Sequence, residues 1–454
     1  MDEAHEQPPA RTRPWARELL EAAALAVSAI LVVKHFLIEP YKVPTPSMQP
    51  TVMGSAQAGV FDRVAVDKLA YRWRDPRRFE VVVFKGPFDR SASFVKRVIG
   101  MPGEWIRIHD GDVWTRASDH ESWKILRKPR AVQDELWREL APLDGVAEWE
   151  VTSGSGEYAG SALVALEAGA SAQFRRASPF VLDDHLDGYP AAIRRRLPPV
   201  MPHSNQSAVG DLRFEARLAL WTGASARIEF HEGERPHVFR FGATSVEILA
   251  GGGEPARAEL AAIGSSRERA IAVQNADDRL AVFVDGALVL ERDIEACDDA
   301  RTSIALHADG GSAEFRTLRV FRDVYYTNAW AKVAETRIPA GHYFVLGDNS
   351  QDSSDSRDWM LWRYELRDDG GAPREVRAHY RGSEHPRSIV GGDEPLVWLR
   401  DEWGEPHLFP AAAATVLPPV EAPFVPRALV TGRALAVFWP LAPARGIRRF
   451  KWVR

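Results

Sequence analysis

The chain has 454 residues, of which 45% are hydrophobic and 27% are charged, so it can bury the cores of about two to four domains. Its formal net charge of −5 excludes the basic surface that binds nucleic-acid phosphates. The single cysteine, Cys297, excludes an internal disulfide and a multi-cysteine metal site, and the 13 histidines lack a zinc-binding spacing. We therefore expect no nucleic-acid partner, no metal and no cofactor.

The N-terminal region predicts a membrane anchor. Residues 1–18 are polar and contain three arginines, and the next 20 residues, 19–38, are mostly apolar. About 20 apolar residues form a helix that crosses the hydrocarbon core of a bilayer. Glu21 and Lys34 lie near the ends of this segment, where long side chains reach the headgroups. Since Arg11, Arg13 and Arg17 precede it, residues 1–18 are predicted to be cytoplasmic and the rest of the chain external.

Two other interpretations of this segment fit the sequence less well. A buried amphipathic helix would need a polar face, which the Ala/Leu/Val run lacks. A cleaved signal peptide would need a small-x-small cleavage site, but the bulky residues Phe36, Leu37 and Ile38 continue the segment. An uncleaved anchor is therefore predicted, and because no other run reaches about 18 apolar residues, it is predicted to be a single pass.

Short β-type runs follow the anchor at 63–66, 81–84 and 95–99. The apolar residues near Met48 and in the run 81–84 are expected to rest on the membrane surface. From about residue 119 the character of the sequence changes, and a short helical stretch is predicted at 132–140. We place the start of an inserted domain at this change.

The long middle part of the chain predicts a β-sandwich at 119–327. Apolar and polar residues alternate along Leu212–Leu220, which is typical of a strand with one buried face. Two hairpins are predicted, the first joining 281–284 to 288–290 through Asp285-Gly286, the second joining 303–306 to 313–321. The pattern is similar to concanavalin-type jelly rolls of carbohydrate-binding modules. We expect three of its aromatic residues in the core rather than on a sugar-binding surface: Trp221, Phe230 and Phe239.

Four short motifs lie outside the predicted sandwich. They are Pro44–Thr51, which directly follows the anchor; Lys96–Glu104; Gly347–Asn349 with Ser353–Arg357; and Phe424–Pro426 with Gly432–Ala434 and Phe438–Pro440. Taken singly, each motif has an ordinary explanation as a loop, a solvated strand edge, a turn or a surface ion pair. Their order behind a membrane anchor is what makes the set specific.

In this order the motifs resemble those of bacterial type I signal peptidases (leader peptidases), which are serine proteases with a Ser/Lys dyad. The resemblance covers about half of the chain and leaves out the sandwich. It implies a mainly β protein with one transmembrane helix at 19–38 and a signal-peptidase-type coiled β-sheet catalytic domain. That domain is expected at 39–118 and 328–454, with a small Gly- and Pro-rich insertion at about 366–415.

The chemistry expected from the resemblance is acyl transfer through Ser47. A serine hydroxyl needs an adjacent base, and a lysine serves only when its pKa is lowered so that it can be neutral. The resemblance implies that Lys96 is this base and that the oxyanion is held by the Ser47 backbone N–H and the Thr45 hydroxyl. Ser353 corresponds to the serine that orients the lysine.

Five further residues are expected to support the site. The resemblance implies that Asp355 and Arg357 form a supporting pair, and that Gly347, Asp348 and Asn349 form a turn beside it.

These expectations combine into a membrane-bound endopeptidase that cuts signal peptides from exported preproteins after small residues, of the Ala-x-Ala type. It is expected in the bacterial cytoplasmic membrane with its catalytic domain on the periplasmic side. Membrane lipid is an expected partner, and cell-envelope polymer is a candidate partner of the sandwich. Two alternatives are a self-cleaving repressor, for which a DNA-binding domain is lacking, and a non-enzymatic envelope or glycan-binding module on an inactive protease scaffold.

Overall fold

A computed structural model describes residues 15–32, 34, 37–87, 89–140, 148–175, 180–197, 206–296, 302–327, 335–366, 373–379, 387–391, 394–401, 403–442 and 447–454. Cys297 and the arginines Arg11 and Arg13 lie outside these residues. The chain is mainly β, which confirms the predicted fold class at that level.

One antiparallel sheet, called here the central sheet, organises the first and last parts of the chain. It consists of Ile38–Lys42, Arg63–Asp67, Val430–Trp439, Val81–Lys85, Ser93–Gly100, His342–Leu346 and Phe424–Pro426 in spatial order, and Lys451–Trp452 pairs with Val430–Trp439. Strands from residues 38–100 thus pair with strands from residues 342–439 at several places in the sheet. The sheet therefore brings the separated motifs into one structure.

The strand Val81–Lys85 is buried on both of its faces. Its alternate residues pack with Trp359 on one side and with Met48 on the other. A strand covered on both faces is apolar along its length, which explains the uninterrupted run in the sequence. Because Met48 and residues 81–84 are at most 2% exposed, the prediction that they rest on the membrane is wrong.

Two further sheets form a sandwich between Arg138 and Arg322. The first sandwich sheet contains Gly156–Tyr158, Leu163–Leu166, Ala313–Arg322, Leu212–Leu220, Arg269–Asn275, Arg279–Val284 and Ala287–Asp293, with Arg138–Glu139 paired to Ala313–Arg322. The second contains Trp149–Ser153, Ser171–Phe174, Thr302–Asp309, Ser225–Glu232, Arg235–Phe241, Ser245–Ala250 and Ala256–Glu259.

The two sandwich sheets share one hydrophobic core. Trp149 of the second sheet meets Phe214 of the first at 5.7 Å between ring centroids, in an edge-to-face arrangement. Phe230 and Phe239 also lie in this core, as expected, whereas Trp221 is 42% exposed, so its assignment to the core is wrong. Trp221 follows the last residue of its strand, where the alternation that buries side chains ends.

Two predicted elements of this region differ in the structure. Thr302–Asp309 and Ala313–Arg322 lie in opposite sheets, so their connection passes between the sheets and is not a hairpin. The predicted helix at 132–140 is observed as Arg130–Leu136, because the chain then turns and Arg138–Glu139 pairs with the sandwich. In both places the pairing of distant strands overrides the local pattern.

The remaining elements are small. A four-stranded sheet consists of Glu335–Arg337, Trp105–His109, Asp112–Arg116 and Lys124–Ile125. Two three-stranded sheets follow: one consists of Arg374–His379, Met360–Leu366 and Ala414–Glu421, and the other of Arg387–Gly391, Glu394–Arg400 and Pro406–Pro410. Two pairs of short strands are Gly54–Ser55 with Val60–Phe61 and Leu441–Ala442 with Ile447–Arg448. Short helices occur at Ala191–Arg194, Ser350–Asp352, Ala411–Ala413 and Arg427–Leu429. The predicted domain boundaries at 119–327 and 366–415 stay predictions.

The N-terminal helix spans Trp15–Val32. Its apolar side chains Leu19, Leu20 and Leu25 are each more than 60% exposed. Among the residues that the structure describes, however, neither this helix nor any other combines the length and the apolar character needed to cross a membrane. The predicted transmembrane span at 19–38 is therefore not confirmed.

Candidate active site

Lys96 is a buried lysine on the strand Ser93–Gly100 of the central sheet. It pairs with Val82 of the neighbouring strand, and only 2% of its surface is exposed. Its Nζ donates a hydrogen bond to Ser353 Oγ at 2.9 Å, and Ser353 Oγ donates to Asp355 Oδ2 at 2.7 Å. The structure therefore joins the second and third motifs, which are more than 250 residues apart in sequence, through one chain of buried hydrogen bonds.

The surroundings of Lys96 favour its neutral form. Burial lowers the pKa of Lys96 to about 8, and the positive charge of Arg357 acts in the same direction, while Asp355 opposes it. Removing an ammonium group from water disfavours its charged state, which is how a lysine becomes able to accept a proton near neutral pH.

Asp355 and Arg357 form a buried pair behind Ser353. Arg357 donates from Nε and Nη2 to the two carboxylate oxygens of Asp355, each at 2.8 Å, and also donates from Nη1 to Ser350 Oγ at 2.8 Å. The Gly347 N–H donates to Asp355 at 3.0 Å. Burial alone would raise the pKa of Asp355, but Arg357, with smaller effects of Lys96 and the Gly347 N–H, lowers it below its ordinary value. The pair therefore holds a charged acceptor for Ser353.

Ser47 lies in the loop that follows the first strand of the central sheet. The fully buried side chain of the next residue, Met48, anchors this loop in the apolar cluster beside the sheet. The Asn349 N–H donates to the Ser47 carbonyl at 3.0 Å, and Asn349 Nδ2 donates to the Pro46 carbonyl at 3.1 Å. The main chain and the side chain of Asn349 thus hold the third motif against the first.

Gly347 permits this close approach. A Cβ added at Gly347 would collide with both Ser353 Oγ and the carbonyl oxygen of Ser47. Only a residue without a side chain lets another backbone come this near. The position of Gly347 between Ser353 and Ser47 therefore places the Ser47 loop next to the hydrogen-bond chain of Lys96.

Thr45 precedes Ser47 by two residues and is exposed. Its backbone packs tightly against Gly54, where an added Cβ would collide with the Thr45 main chain. This contact fixes the main chain of the loop at Thr45. The oxyanion role of Thr45 and of the Ser47 N–H stays a prediction.

A second buried ion pair had no assigned role in the sequence. Arg97 donates to the two carboxylate oxygens of Asp348 at 2.8 and 2.7 Å, and neither side chain is exposed. Burial alone would raise the pKa of Asp348, but Arg97, with smaller effects of Thr51 and Arg138, lowers it below its ordinary value. Arg97 follows Lys96 and Asp348 follows Gly347, so the pair ties together the two segments that hold the lysine. The adjacency of these residues within the motifs was the only available signal.

Three carboxylates elsewhere are close enough to share a cation. Oxygen atoms of Asp112, Asp211 and Asp277 lie within 4.8 Å of one another. However, the buried Lys128 ammonium forms ion pairs with Asp277 and with Asp323. These carboxylates raise the pKa of Lys128 well above its ordinary value despite its burial. Lys128 therefore supplies positive charge to this cluster, and we assign no metal to it.

Comparisons with known proteins match the part of the chain that carries these motifs. The family described as "Signal peptidase, peptidase S26" matches residues 16–145 and 284–371. The chain is 36% identical over 115 residues to a "Probable signal peptidase I-2" of Synechocystis sp., covering 24% of this chain and 48% of that protein. It is 36% identical over 90 residues to a "Signal peptidase I" of Pseudomonas fluorescens, covering 17% and 30%.

A third relative, a "Signal peptidase I" of Mycobacterium tuberculosis, is 39% identical over 82 residues, covering 18% of this chain and 28% of that protein. The chain spans less than half the length of each of these three relatives. Among solved structures, a carbohydrate-binding module of family 66 from Bacillus subtilis matches with a TM-score of 0.26 and 9% identity, covering 39% of this chain and 97% of the module.

Proposed function

We propose that this chain, which belongs to the signal peptidase family, is a membrane-bound serine endopeptidase that removes N-terminal signal peptides from exported preproteins. The observation that carries the proposal is the buried hydrogen-bond chain from Lys96 through Ser353 to Asp355, next to the loop of Ser47. A buried lysine with a lowered pKa beside a serine loop supplies a base for nucleophilic catalysis.

In the proposed mechanism, Ser47 Oγ attacks the scissile carbonyl carbon and Lys96 accepts its proton. The Ser47 N–H and the Thr45 hydroxyl donate to the oxygen that becomes negative. Lys96 then gives the proton to the leaving amine, and the signal peptide remains as an ester on Ser47. Lys96 finally activates a water molecule, which hydrolyses this ester and frees the serine.

Ser353 has a positioning role in this mechanism. Its hydroxyl accepts from Lys96 and donates to Asp355, so it fixes the direction of the lysine. Arg357 adds positive charge that disfavours the ammonium form of Lys96. We further propose cleavage after small residues at the first and third positions before the cut.

The proposal includes a single membrane anchor at 19–38, with residues 1–18 in the cytoplasm and the catalytic domain on the periplasmic side. The apolar sequence of this segment and the exposure of Leu19, Leu20 and Leu25 support it. Membrane lipid is then a partner of the segment. Exposed aromatic residues of the central sheet, Trp439 and Trp452, are further candidates for contact with lipid headgroups. Binding of an envelope polymer by the sandwich stays a separate hypothesis.

The function is tested with the full-length protein in sealed membrane vesicles. A preprotein with an Ala-x-Ala site, added outside, is expected to be cut after the second small residue by vesicles whose outer face is periplasmic. Inverted vesicles are expected to cut it only after detergent opens them. The products are identified by mass spectrometry.

A preprotein with bulky residues at both specificity positions is the control substrate and should remain intact. Absence of cleavage in both vesicle types and in detergent, with folded protein, would reject the peptidase proposal. Binding of glycan polymer should then be assayed, because a non-enzymatic envelope module is the alternative.

The pH dependence of cleavage follows from the burial of Lys96. We expect kcat/KM to rise about tenfold per pH unit in the acid range and to level off above an apparent pKa near 8, because only neutral Lys96 can accept the serine proton. Initial rates between about pH 6 and 10 measure this. A Lys85→Ala variant, which removes a lysine from the adjacent strand, should leave the profile unchanged. A profile that stays flat across this range would contradict the role of Lys96.

A further inference from the structure

One buried arginine of the sandwich reaches both loops of the active site. Arg138 is 5% exposed. Its Nη1 donates to the Gln49 carbonyl at 3.0 Å, and its Nη2 donates to the Asp348 carbonyl. Gln49 lies two residues after Ser47, and Asp348 directly follows Gly347. A single guanidinium therefore bridges the segment of the nucleophile and the turn beside the lysine.

Burial of the Arg138 guanidinium costs free energy. Among the described residues, its hydrogen bonds go to carbonyl oxygens, and none goes to a carboxylate. Burial and the positive charge of Arg322 lower the pKa of Arg138 to about 10. Keeping a buried cation without a hydrogen-bonded carboxylate carries a desolvation penalty that only well-fixed surroundings can offset. Arg138 is therefore held where it is by the structure around it.

The sandwich supplies these fixed surroundings. Arg138–Glu139 pairs with the end of Ala313–Arg322, and the Glu139 carbonyl accepts from the Gly188 N–H at 2.8 Å. Next to it, Arg322 donates to Asp187 at 2.7 Å in a buried ion pair. Arg138 is thus tied to a strand that runs through the sandwich sheet.

A second contact holds the same loop from the same side. The Tyr189 hydroxyl donates to the side-chain carbonyl oxygen of Gln49. Tyr189 and Ile193 also pack with Val60 of the small hairpin after the Ser47 loop and with Met53, which directly precedes that hairpin. The loop is therefore held between the central sheet, through Met48, and the sandwich.

We propose that Arg138 is a positioning residue, through which the sandwich holds the Ser47 loop and the Asp348 turn in the arrangement needed for catalysis. The inference rests on the proposed peptidase function and adds to it a role for the sandwich. Without Arg138, the carbonyls of Gln49 and Asp348 lose their common donor, and Ser47 is free to shift relative to Lys96. A shift of about 1 Å at a reacting group can cost about 100-fold in rate.

A purely structural role would act differently. It would lower stability and the amount of folded enzyme, but each folded molecule would keep its turnover. A positioning role lowers kcat per folded molecule and leaves KM nearly unchanged, because a displaced nucleophile weakens the transition state rather than the binding of the substrate. A loss of kcat per folded molecule therefore indicates the positioning role, and a loss of stability alone indicates a purely structural role.

The test compares Arg138→Gln and Arg138→Lys in the full-length protein in detergent, with cleavage of an Ala-x-Ala peptide as readout. For Arg138→Gln we expect kcat to fall by about 10- to 100-fold with little change in KM. Arg138→Lys keeps the charge and a donor but cannot bridge two carbonyls as a rigid fork, so it should recover part of the loss. Rates are measured well below the unfolding temperature of each variant and divided by the folded fraction.

The matched control is Arg213→Gln. Arg213 is a partly buried arginine of the same sandwich sheet, but it donates to Glu215 and Gln274 within the sandwich. This variant should keep the kcat of the wild type. If Arg138→Gln also keeps the wild-type kcat per folded molecule, the positioning role is wrong.

A variant that does not fold and a wild type that does not cleave are distinguished as follows. If Arg138→Gln does not fold, Arg138→Lys, which keeps the charge and a donor but cannot bridge both carbonyls, takes its place; a kcat per folded molecule equal to that of the wild type then overturns the inference. If the wild type itself does not cleave, the proposed function has failed. Cleavage by the wild type with full activity of the variants rejects the positioning role alone.

Discussion

Replacement of Ser47 by alanine is expected to lower kcat for preprotein cleavage by about 10⁴-fold or more, since removal of a catalytic serine leaves only the other stabilising contacts. The same loss is expected for Lys96→Ala, because Lys96 is the proposed base and the other partner of Ser353 Oγ, Asp355, has a lowered pKa and is a poor proton acceptor. Lys96→Arg should be equally inactive. A guanidinium stays protonated throughout the accessible pH range and cannot act as a base.

The double variant Ser47→Ala/Lys96→Ala should be no less active than either single variant, because residues that act as one unit show non-additive losses. Purified full-length proteins are compared by single-turnover cleavage, which separates chemistry from substrate binding. Folding of each variant is checked by its thermal unfolding midpoint.

Matched controls are Ser91→Ala and Lys85→Ala. Ser91 is exposed in the loop before the strand of Lys96, and Lys85 lies on the neighbouring strand opposite Ser93. Both should keep the activity of the wild type. Substantial cleavage by Ser47→Ala would show that another nucleophile is used and would remove the basis of the mechanism.

The second large effect concerns stability. Asp348→Asn is expected to lower the free energy of unfolding by about 3–5 kcal/mol, the usual cost of leaving one member of a buried ion pair without its partner. Arg97 is completely buried and donates twice to the Asp348 carboxylate. Asparagine removes the negative charge. Its side-chain NH₂ group would also face an N–H group of Arg97, so that two hydrogen-bond donors oppose each other. The free energy is obtained from urea titrations in detergent, followed by tryptophan fluorescence.

The exposed pair of Asp75 and Arg427 provides the control. Its oxygen-to-nitrogen distance is also 2.7 Å, but the Asp75 side chain is 75% exposed. Asp75→Asn should cost less than about 1 kcal/mol. Equal costs for Asp75→Asn and Asp348→Asn would contradict the importance assigned to burial.

The cost of Asp348→Asn should also depend on pH. Because the pKa of Asp348 is lowered in the folded protein, its stabilisation is complete above the unfolded pKa of about 4 and is lost as the pH falls through the lower folded value. The difference between wild type and variant should therefore be constant at neutral pH and shrink on acidification. A difference that grows on acidification would mean that the pair does not lower this pKa.

The mainly β architecture and several strands could be predicted from the sequence because they depend on local patterns. The strand Leu212–Leu220 was predicted with its observed bounds, since alternation of apolar and polar residues reports burial of one face. The run at 81–84 was also recognisable as a strand. Its position with both faces covered was not, because a short apolar run does not show what packs against it.

The candidate site was likewise predictable only in part from the sequence. The sequence by itself determined the order of the motifs, and through their resemblance to a known family it singled out Ser47, Lys96 and Ser353. Only the tertiary structure decided which groups surround them: Ser353 beside Lys96, Arg97 with Asp348, and Arg138 across Gln49 and Asp348. The physical reason is that a buried polar group must find its partner wherever the fold brings one. Arg138 lies 89 residues from Gln49 and 210 from Asp348, and no local pattern encodes such a separation.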